Sequence, residues 1–254
     1  MGHVEWTEFA RVERMPAAGE IVHAEGVLQE PAGGGAVVAR QLALLCGRCE
    51  LFTALGRDDL GARAERRLAE LGVDVHAVRA GSTRRAWVHV DDTGERTITV
   101  LGDKLLPHGP LPLDGYDAAV FVAGDVEALR SSRRARFLAA TPRELATLGE
   151  GAVPLDLLVG SANDPAERYD GSLDAALVVR TEGPRGVDAG GTHFSAPAPP
   201  GPAVDSYGAG DSFAAALCFA LARGDELEAA MALALRAGAS VVTAMGPYEK
   251  QLRL

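Results

Sequence analysis

Apolar and polar positions along the chain switch between a helical period and short continuous apolar runs, and this alternation predicts an α/β protein. After Ala32-Gly33-Gly34-Gly35, the stretch Ala36 to Leu45 reads as a buried helix ended by Gly47, and Glu50-Leu51-Phe52-Thr53-Ala54-Leu55 as a strand. Gly61 to Leu71 forms an amphipathic helix, with Ala64, Leu68 and Leu71 on one face and Arg63, Glu65, Arg66 and Arg67 turned outward. Gly72 stops it, and Val73-Asp74-Val75 begins another strand. Apolar runs at Ala118 to Val122, Leu155 to Val159 and Ala175 to Val179 have the length and two-sided apolarity of parallel strands covered by helices.

One segment breaks this rhythm. Trp87 to Val100 alternates strictly and turns at Asp92-Thr93-Gly94, which predicts a hairpin. A hairpin inserted in a βα series projects from the main sheet. The expected architecture is therefore a doubly wound, mostly parallel sheet flanked by helices, carrying a small β-sheet lid, in a single domain over residues 1–254. The lid segments fall near 10–32 and 84–104, with strands near Ile21 to Val27 and Trp87 to Val100.

Composition narrows the function classes. The formal net charge of −10 repels phosphate backbones and anionic membranes, so an anionic small molecule needs a local positive site. No uncharged apolar run reaches spanning length, and Glu5, Glu8, Arg11, Glu13 and Arg14 near the start rule out a signal or an anchor there. Three cysteines fit a reducing compartment, with cytoplasm as the default. Cys46-Gly47-Arg48-Cys49 has redox and zinc spacing, but no second ligand pair exists and Cys46 closes a helical run instead of opening one. A structural role is expected for it.

The segment richest in chemistry is Asp205-Ser206-Tyr207-Gly208-Ala209-Gly210-Asp211-Ser212-Phe213, which follows the stiff Pro197 to Pro202 connector. An apolar helix begins near Asp211 and runs to about Arg223, where Gly224 ends it. Backbone N–H groups of Ala209, Gly210 and Asp211 then open from a helix N-terminus, a place that binds anions. As a mere cap, Asp211 would compete with such an anion. As a base beside a phosphoryl-binding nest, it has a task.

Asp205 to Asp211 resembles the D-[TS]-x-G-A-G-D signature of the ribokinase-like (PfkB) carbohydrate kinases, and Ser212-Phe213 continues it. Thr181-Glu182-Gly183-Pro184-Arg185-Gly186 is similar to that family's T-x-G-x-x-G turn. Pro16 to Glu20, Gly33-Gly34-Gly35, Leu55 to Gly61, Leu71-Gly72-Val73, Gly94 to Ile98, Ala237 to Val241 and Gly246-Pro247 match further landmarks in order, so the resemblance spans nearly the whole chain. It implies a reaction in which Asp211 deprotonates a hydroxymethyl group that attacks the γ-phosphorus of ATP, while N–H groups around Gly208, Ala209 and Gly210 stabilise the phosphoryl charge. It further implies that Thr181, Gly183, Gly186, Ala239 and Gly246 lie on the nucleotide side. Glu5, Thr7, Gly34, Gly35 and Val37 take the substrate side, and Asp164, Glu167 and Asp205 the metal side. Mg²⁺ bridges the phosphates in this picture, carbonyls around Asp205 are a candidate K⁺ site, and the lids join a homodimer.

The chain departs from the family pattern at several points. Almost no first strand precedes Glu5 and Thr7, which stand at an Asn and an Asp position, and Val37 stands where an Asn is usual. The magnesium-associated N-x-x-E motif is either Ser161-Ala162-Asn163-Asp164 or Asp164-Pro165-Ala166-Glu167, and the short Asp164 to Leu173 segment trims a helix. Thr7 and Val37 predict weak holding of ribose and plain hexoses, with Glu5 or His3 available for another polar group, so a nucleoside or modified sugar fits better. Alternatively, Gln41 or Arg40 restores the contacts. A non-catalytic sugar or nucleotide sensor on the same fold is the competing class. A P-loop is excluded because neither lysine, Lys104 nor Lys250, completes GxxxxGK[ST].

Overall fold

A computed structural model describes all 254 residues. In chain order the elements are β1 (Glu5–Arg11), β2 (Gly26–Ala32), α1 (Gly34–Cys46), β3 (Glu50–Leu55), α2 (Asp59–Glu70), β4 (Asp74–Arg79), β5 (Arg85–Val90) and β6 (Arg96–Leu101). There follow β7 (Ala118–Phe121), α3 (Val126–Ser132), β8 (Phe137–Ala140), α4 (Leu145–Gly151), β9 (Leu155–Ser161), β10 (Ala175–Thr181), β11 (Val187–Ala189), β12 (Thr192–Phe194), α5 (Ala209–Arg223) and α6 (Leu227–Val241).

The larger sheet runs β12-β11-β10-β9-β8-β7, with β7 to β10 mutually parallel, and β3 pairs in parallel with β4. Backbone bonds of the first two residues join these two pieces. Met1 N donates to Val120 O at 2.8 Å, Val122 N to Met1 O at 3.0 Å, and Gly2 N to Phe52 O at 3.2 Å. Side-chain alternation along each strand feeds two separate cores. Val120, Val122, Leu157 and Val159 pack under α1, α5 and α6 with Phe213, Leu217 and Met231. Phe121 and Leu158 face the other way, onto Leu129, Leu138 and Leu148. Burial of both faces explains why these strands read as continuous apolar runs.

The helix starts obey local chemistry. Asp58 Oδ1 accepts from Gly61 N at 2.9 Å, so α2 begins two residues before the expected Gly61. At the other end of α1, Gly47 takes the left-handed conformation expected of a stop. The trimmed helix after β9 is reduced to one 3₁₀ turn at Pro165–Glu167.

The second sheet is the lid, in the order β2-β1-β5-β6, with β1 and β5 parallel and the outer pairs antiparallel. Two expectations need correction. The strand expected near Ile21 to Val27 lies at Gly26–Ala32, with Ile21 in an exposed loop. The lid also begins earlier than the expected residue 10: the first four residues form no strand, as expected, but Glu5 and Thr7 lie within lid strand β1. Phe9, Val88 and Val90 cover the inner face against Val37, Tyr207 and Tyr248. The hairpin tip is docked, since Gly94 O accepts from Ser206 N at 3.2 Å and Arg96 Nη1 donates to Ser206 Oγ at 2.7 Å.

Candidate active site

Helix α5 starts from Gly208, whose φ of 81° turns the chain sharply; a Cβ there would sit 3.0 Å from Pro247 Cβ and 3.1 Å from Val37 Cγ1. Gly210 N and Asp211 N reach no acceptor within the protein. They are the free donors of a helix N-terminus, and Asp211 stands in that first turn. Across the gap, a Cβ on Gly34 would lie 3.1 Å from Asp211 Oδ1, so the first helical glycine of α1 gives the carboxylate its room.

Burial raises the pKa of Asp211. Arg143 and Arg96 oppose the shift, and Glu167 adds to it. The group is deep in the cleft yet retains access to it. Such a carboxylate is a stronger base than an exposed one while remaining ionisable.

Asp205 plays another part. Fully buried, it accepts from Tyr207 N and Gly246 N, each at 2.8 Å, one bond to each carboxylate oxygen. It pins the signature turn to the loop at Gly246, whose φ of 73° permits the approach. Burial raises its pKa against those two bonds. Each oxygen accepts one backbone bond, so the carboxylate serves the fold as a pin between two loops.

Asp164 and Glu167 fare similarly. Arg143 Nη2 bridges them, at 2.8 Å from Asp164 Oδ2 and 2.7 Å from Glu167 Oε1. Ala166 N donates to Asp164 Oδ1 at 2.9 Å, and Ser161 N to Glu167 Oε2 at 2.7 Å. Each of the four oxygens accepts one bond, so Arg143 and two backbone N–H groups hold the pair in a fixed arrangement. Although burial disfavours its charge, Arg143 is held protonated by Glu167, Asp164 and Asp211.

Of the expected nucleotide-side residues, Thr181, Gly183 and Gly186 lie at the carboxyl end of β10, where ligands bind on open α/β sheets, whereas Gly246 packs against lid residue Leu28. Thr181 O accepts from Ala162 N at 2.9 Å. Gly183 and Gly186 have φ values of 62° and 114°, and a Cβ on Gly186 would strike Phe194 O at 2.1 Å. Ala239, half-buried in α6, follows Gly238, whose Cβ position lies 3.3 Å from Ala209 O.

On the substrate side the placement is mixed. Glu5 is 5 % exposed, its Oε2 lies 3.2 Å from Arg84 Nε, and burial raises its pKa against Arg84, Lys104 and Arg143. Thr7 is fully buried and its Oγ1 has no partner. Gly35 is taken up by a close approach to Gly2, where a Cβ would meet Gly2 C at 2.7 Å. Val37 has no exposed surface; it supports Gly208 from behind and does not line the cleft. Gln41 is equally buried, its amide tied to Leu252 N and O.

Sequence reasoning missed the cations. Arg84, Lys104 and Arg143 all act on His3, whose imidazole is driven down to about 3, first by burial and then by these three charges. Arg143 stands three residues after the short apolar run of β8, a signal that was available. Tyr207 was also missed as a strut: Gly33 N donates to its hydroxyl at 3.1 Å, joining the glycine-rich turn to the signature turn. The Cys46-Cys49 pair keeps its structural reading, since burial pushes the Cys49 thiol up to about 12.

A deep carboxylate, a helix N-terminus with free N–H groups and a separate β-sheet packed against the signature turn together define a small-molecule phosphotransferase site on an α/β fold. The pfkB family carbohydrate kinase profile matches residues 1–152 and 154–252, and the chain belongs to that family. An ATP-dependent ribose-1-phosphate kinase of Halopiger xanaduensis is 31 % identical over 243 residues, covering 84 % of this chain and 81 % of the relative. Among solved structures, a ribokinase of Thermotoga maritima superposes with a TM-score of 0.76 at 21 % identity, covering 99 % of this chain and 94 % of that one. A nucleoside kinase of Burkholderia thailandensis, solved with inosine, gives 0.80 at 16 % identity, with coverage of 99 % and 91 %. These two likenesses concern the fold.

Proposed function

We propose that this carbohydrate kinase moves the γ-phosphoryl group of ATP to a hydroxymethyl group of a small sugar or nucleoside, with Asp211 as the base. The observation that carries the reading is Asp211 itself: a carboxylate with a raised pKa, beside Gly34 and in the same helical turn as the unpaired N–H groups of Gly210 and Asp211. Asp211 takes the hydroxyl proton as the oxygen attacks phosphorus in line. The helix N-terminus meets the charge on the phosphoryl oxygens.

Thr181, Gly183, Gly186, Ala239 and Gly246 border the nucleotide in this reading. Mg²⁺ arrives with ATP and supplies charge neutralisation of its phosphates. Arg143, anchored by Asp164 and Glu167, stands where it adds a fixed positive charge near Asp211. A potassium requirement would rest on backbone carbonyls of the Asp205 turn, which the Asp205 carboxylate holds in place. The name of the Halopiger relative places pentose phosphates among the acceptors to be screened. The engagement of Asp164 and Glu167 by Arg143 favours the sensor alternative, while the unobstructed Asp211 favours the enzyme.

No helix is long and apolar enough to cross a membrane, and a cytoplasmic, nucleic-acid-free setting completes the reading. Val27 and Trp87 lie 63 % and 42 % exposed on one face of the lid, and the reading covers them with a second copy. A concentration-independent monomer mass in solution scattering would remove the dimer. Screening sugars, sugar phosphates and nucleosides with ATP and Mg²⁺, read as ADP release, tests the activity. Turnover of at least one acceptor is expected, and nucleotide binding without turnover across the panel would favour the sensor.

A further inference from the structure

Behind the catalytic gap, the irregular segment of residues 246–252 is fastened in turn to the elements that build the gap. Gly246 N donates to Asp205 Oδ2 at 2.8 Å, Pro247 Cβ lies 3.0 Å from the Cβ position of Gly208, and the Tyr248 hydroxyl donates to Pro31 O at the root of the lid. Gln251 Nε2 then donates to Val37 O of α1 at 3.0 Å and to Ser212 Oγ of α5 at 3.2 Å. Leu252 closes the series, its N–H and C=O both paired with the Gln41 amide at 3.1 and 2.8 Å. The signature turn, the lid root and both helix starts thus share one strap.

Within the strap, Gln251 sits closest to the chemistry. It is 5 % exposed, and its partner Ser212 is fully buried and directly follows Asp211. Its other partner, Val37, stands about one turn beyond Gly34, the glycine whose Cβ position lies 3.1 Å from Asp211 Oδ1. One side chain therefore bridges the two helices behind the point where the base works. The bridge has a cost, because Gln251 Oε1 is buried without a partner, a loss that a methionine of similar length avoids. Neither partner needs Gln251 for its own hydrogen bonding. Val37 O lies inside α1, whose N–H groups reach it, and a helical serine such as Ser212 can turn its hydroxyl to the carbonyl four residues earlier. Stability alone does not account for such a contact, whereas fixed geometry does.

We infer that Gln251 is a positioning residue of the phosphotransfer: through it the strap fixes the spacing of α1 and α5, and so the reach of Asp211 and the free N–H groups of α5 toward a substrate beside Gly34. This role rests on the kinase reading for the reaction and on the strap contacts for the positioning. Base and anion contacts act over hydrogen-bond distances, and a misplacement of about 1 Å costs a factor on the order of 10² in rate. The charges that bear on Asp211 are Arg143, Glu167 and Arg96. Gln251 adds none, so it governs spacing and leaves the proton affinity of the base alone.

The test is Gln251→Met, read by ADP-release kinetics, thermal unfolding and amide exchange. Well below the unfolding temperature kcat should fall by about 10- to 100-fold, with KM for ATP within about threefold and the acid limb of the pH profile in place. Tm should change by no more than about 4 °C. Ser212→Ala removes the α5 end of the bridge, should lower kcat in the same direction, and carries the test should Gln251→Met fold poorly. Adding Gln251→Met to Ser212→Ala should then cost less than it does in the wild type. Unchanged kcat in both single variants would overturn the positioning role, whatever happens to Tm. Should no acceptor turn over in the wild type, the kinase reading fails by itself and exchange judges the strap: faster exchange at residues 34–37 and 210–213 in Gln251→Met upholds it, and wild-type exchange at both helix starts overturns it.

Discussion

Gly210→Ala should make the protein more stable and less active at once. Gly210 is the second residue of α5, its φ is not positive, and a Cβ built on it meets no protein atom within 4 Å. Alanine therefore fits the folded backbone while restricting the unfolded chain, a gain of about 0.4–1 kcal/mol, or about 1–4 °C in Tm for a chain of this size. The open space that makes the methyl harmless to the fold is where the transferred phosphoryl group must approach the N–H groups of Gly210 and Asp211. The N–H itself stays, but a methyl that keeps the phosphoryl group off one such donor should cost kcat a factor of about 10² to 10³. Calorimetric unfolding and ADP-release kinetics on the same preparation read the two effects. A more stable variant with undiminished kcat would show that the phosphoryl group does not dock at this helix start. Gly35→Ala supplies the contrast, since its Cβ would stand 2.7 Å from Gly2 C and must disrupt packing before it touches chemistry.

Three further outcomes follow from the charges around Asp211 and Asp205. Arg143→Met removes a cation that opposes the upward pKa shift of Asp211, so the acid limb of the kcat/KM profile should move to higher pH; an unmoved limb would separate Arg143 from the base. A carboxyl whose folded pKa is raised binds its proton more tightly folded than unfolded, so its contribution to stability falls as pH rises through the window from the unfolded to the folded value. Asp211→Asn should accordingly raise Tm at neutral pH and lose that advantage below the ordinary carboxylate range, as measured by melting across pH. Asp205→Ala strips the acceptors from Tyr207 N and Gly246 N, each buried donor costing about 1–3 kcal/mol, and a Tm near the wild-type value would refute its role as a pin.

The sequence disclosed those parts whose physics is local. The helix after the signature turn, the buried strands at Leu155 and Ala175 and the hairpin at Trp87 each carry their periodicity within a few residues. Strand β1 escaped because Glu5-Trp6-Thr7-Glu8-Phe9 mixes buried charge with apolar residues, a pattern that makes sense only once Arg84 lies beside Glu5. Strand β8 is four residues long, too short to assert a period. The Gly-Ala-Gly-Asp motif put Asp211 in the first turn of α5, because one turn of backbone fixes that position. Roles that need tertiary neighbours could not be read the same way. Val37 is directed behind Gly208, Asp205 to Gly246 N as well as to the neighbouring Tyr207 N, and Asp164 with Glu167 to Arg143; Gly208, Gly246 and Arg143 are all distant in sequence from the residues they meet. The pairings of Arg84 with Glu5 and of Lys104 with Glu144 were invisible for the same reason: tertiary structure makes them, and no motif records it.

The most direct test of the central claim is the pH profile of kcat for wild type and Asp211→Asn, with the best acceptor and saturating ATP. An amide cannot take the proton, so kcat should fall by a factor of about 10² to 10⁴ and the acid limb should vanish, while nucleotide affinity measured by titration stays close to that of the wild type. An Asp211→Asn enzyme that keeps most of its kcat, with the wild-type acid limb intact, would contradict the account.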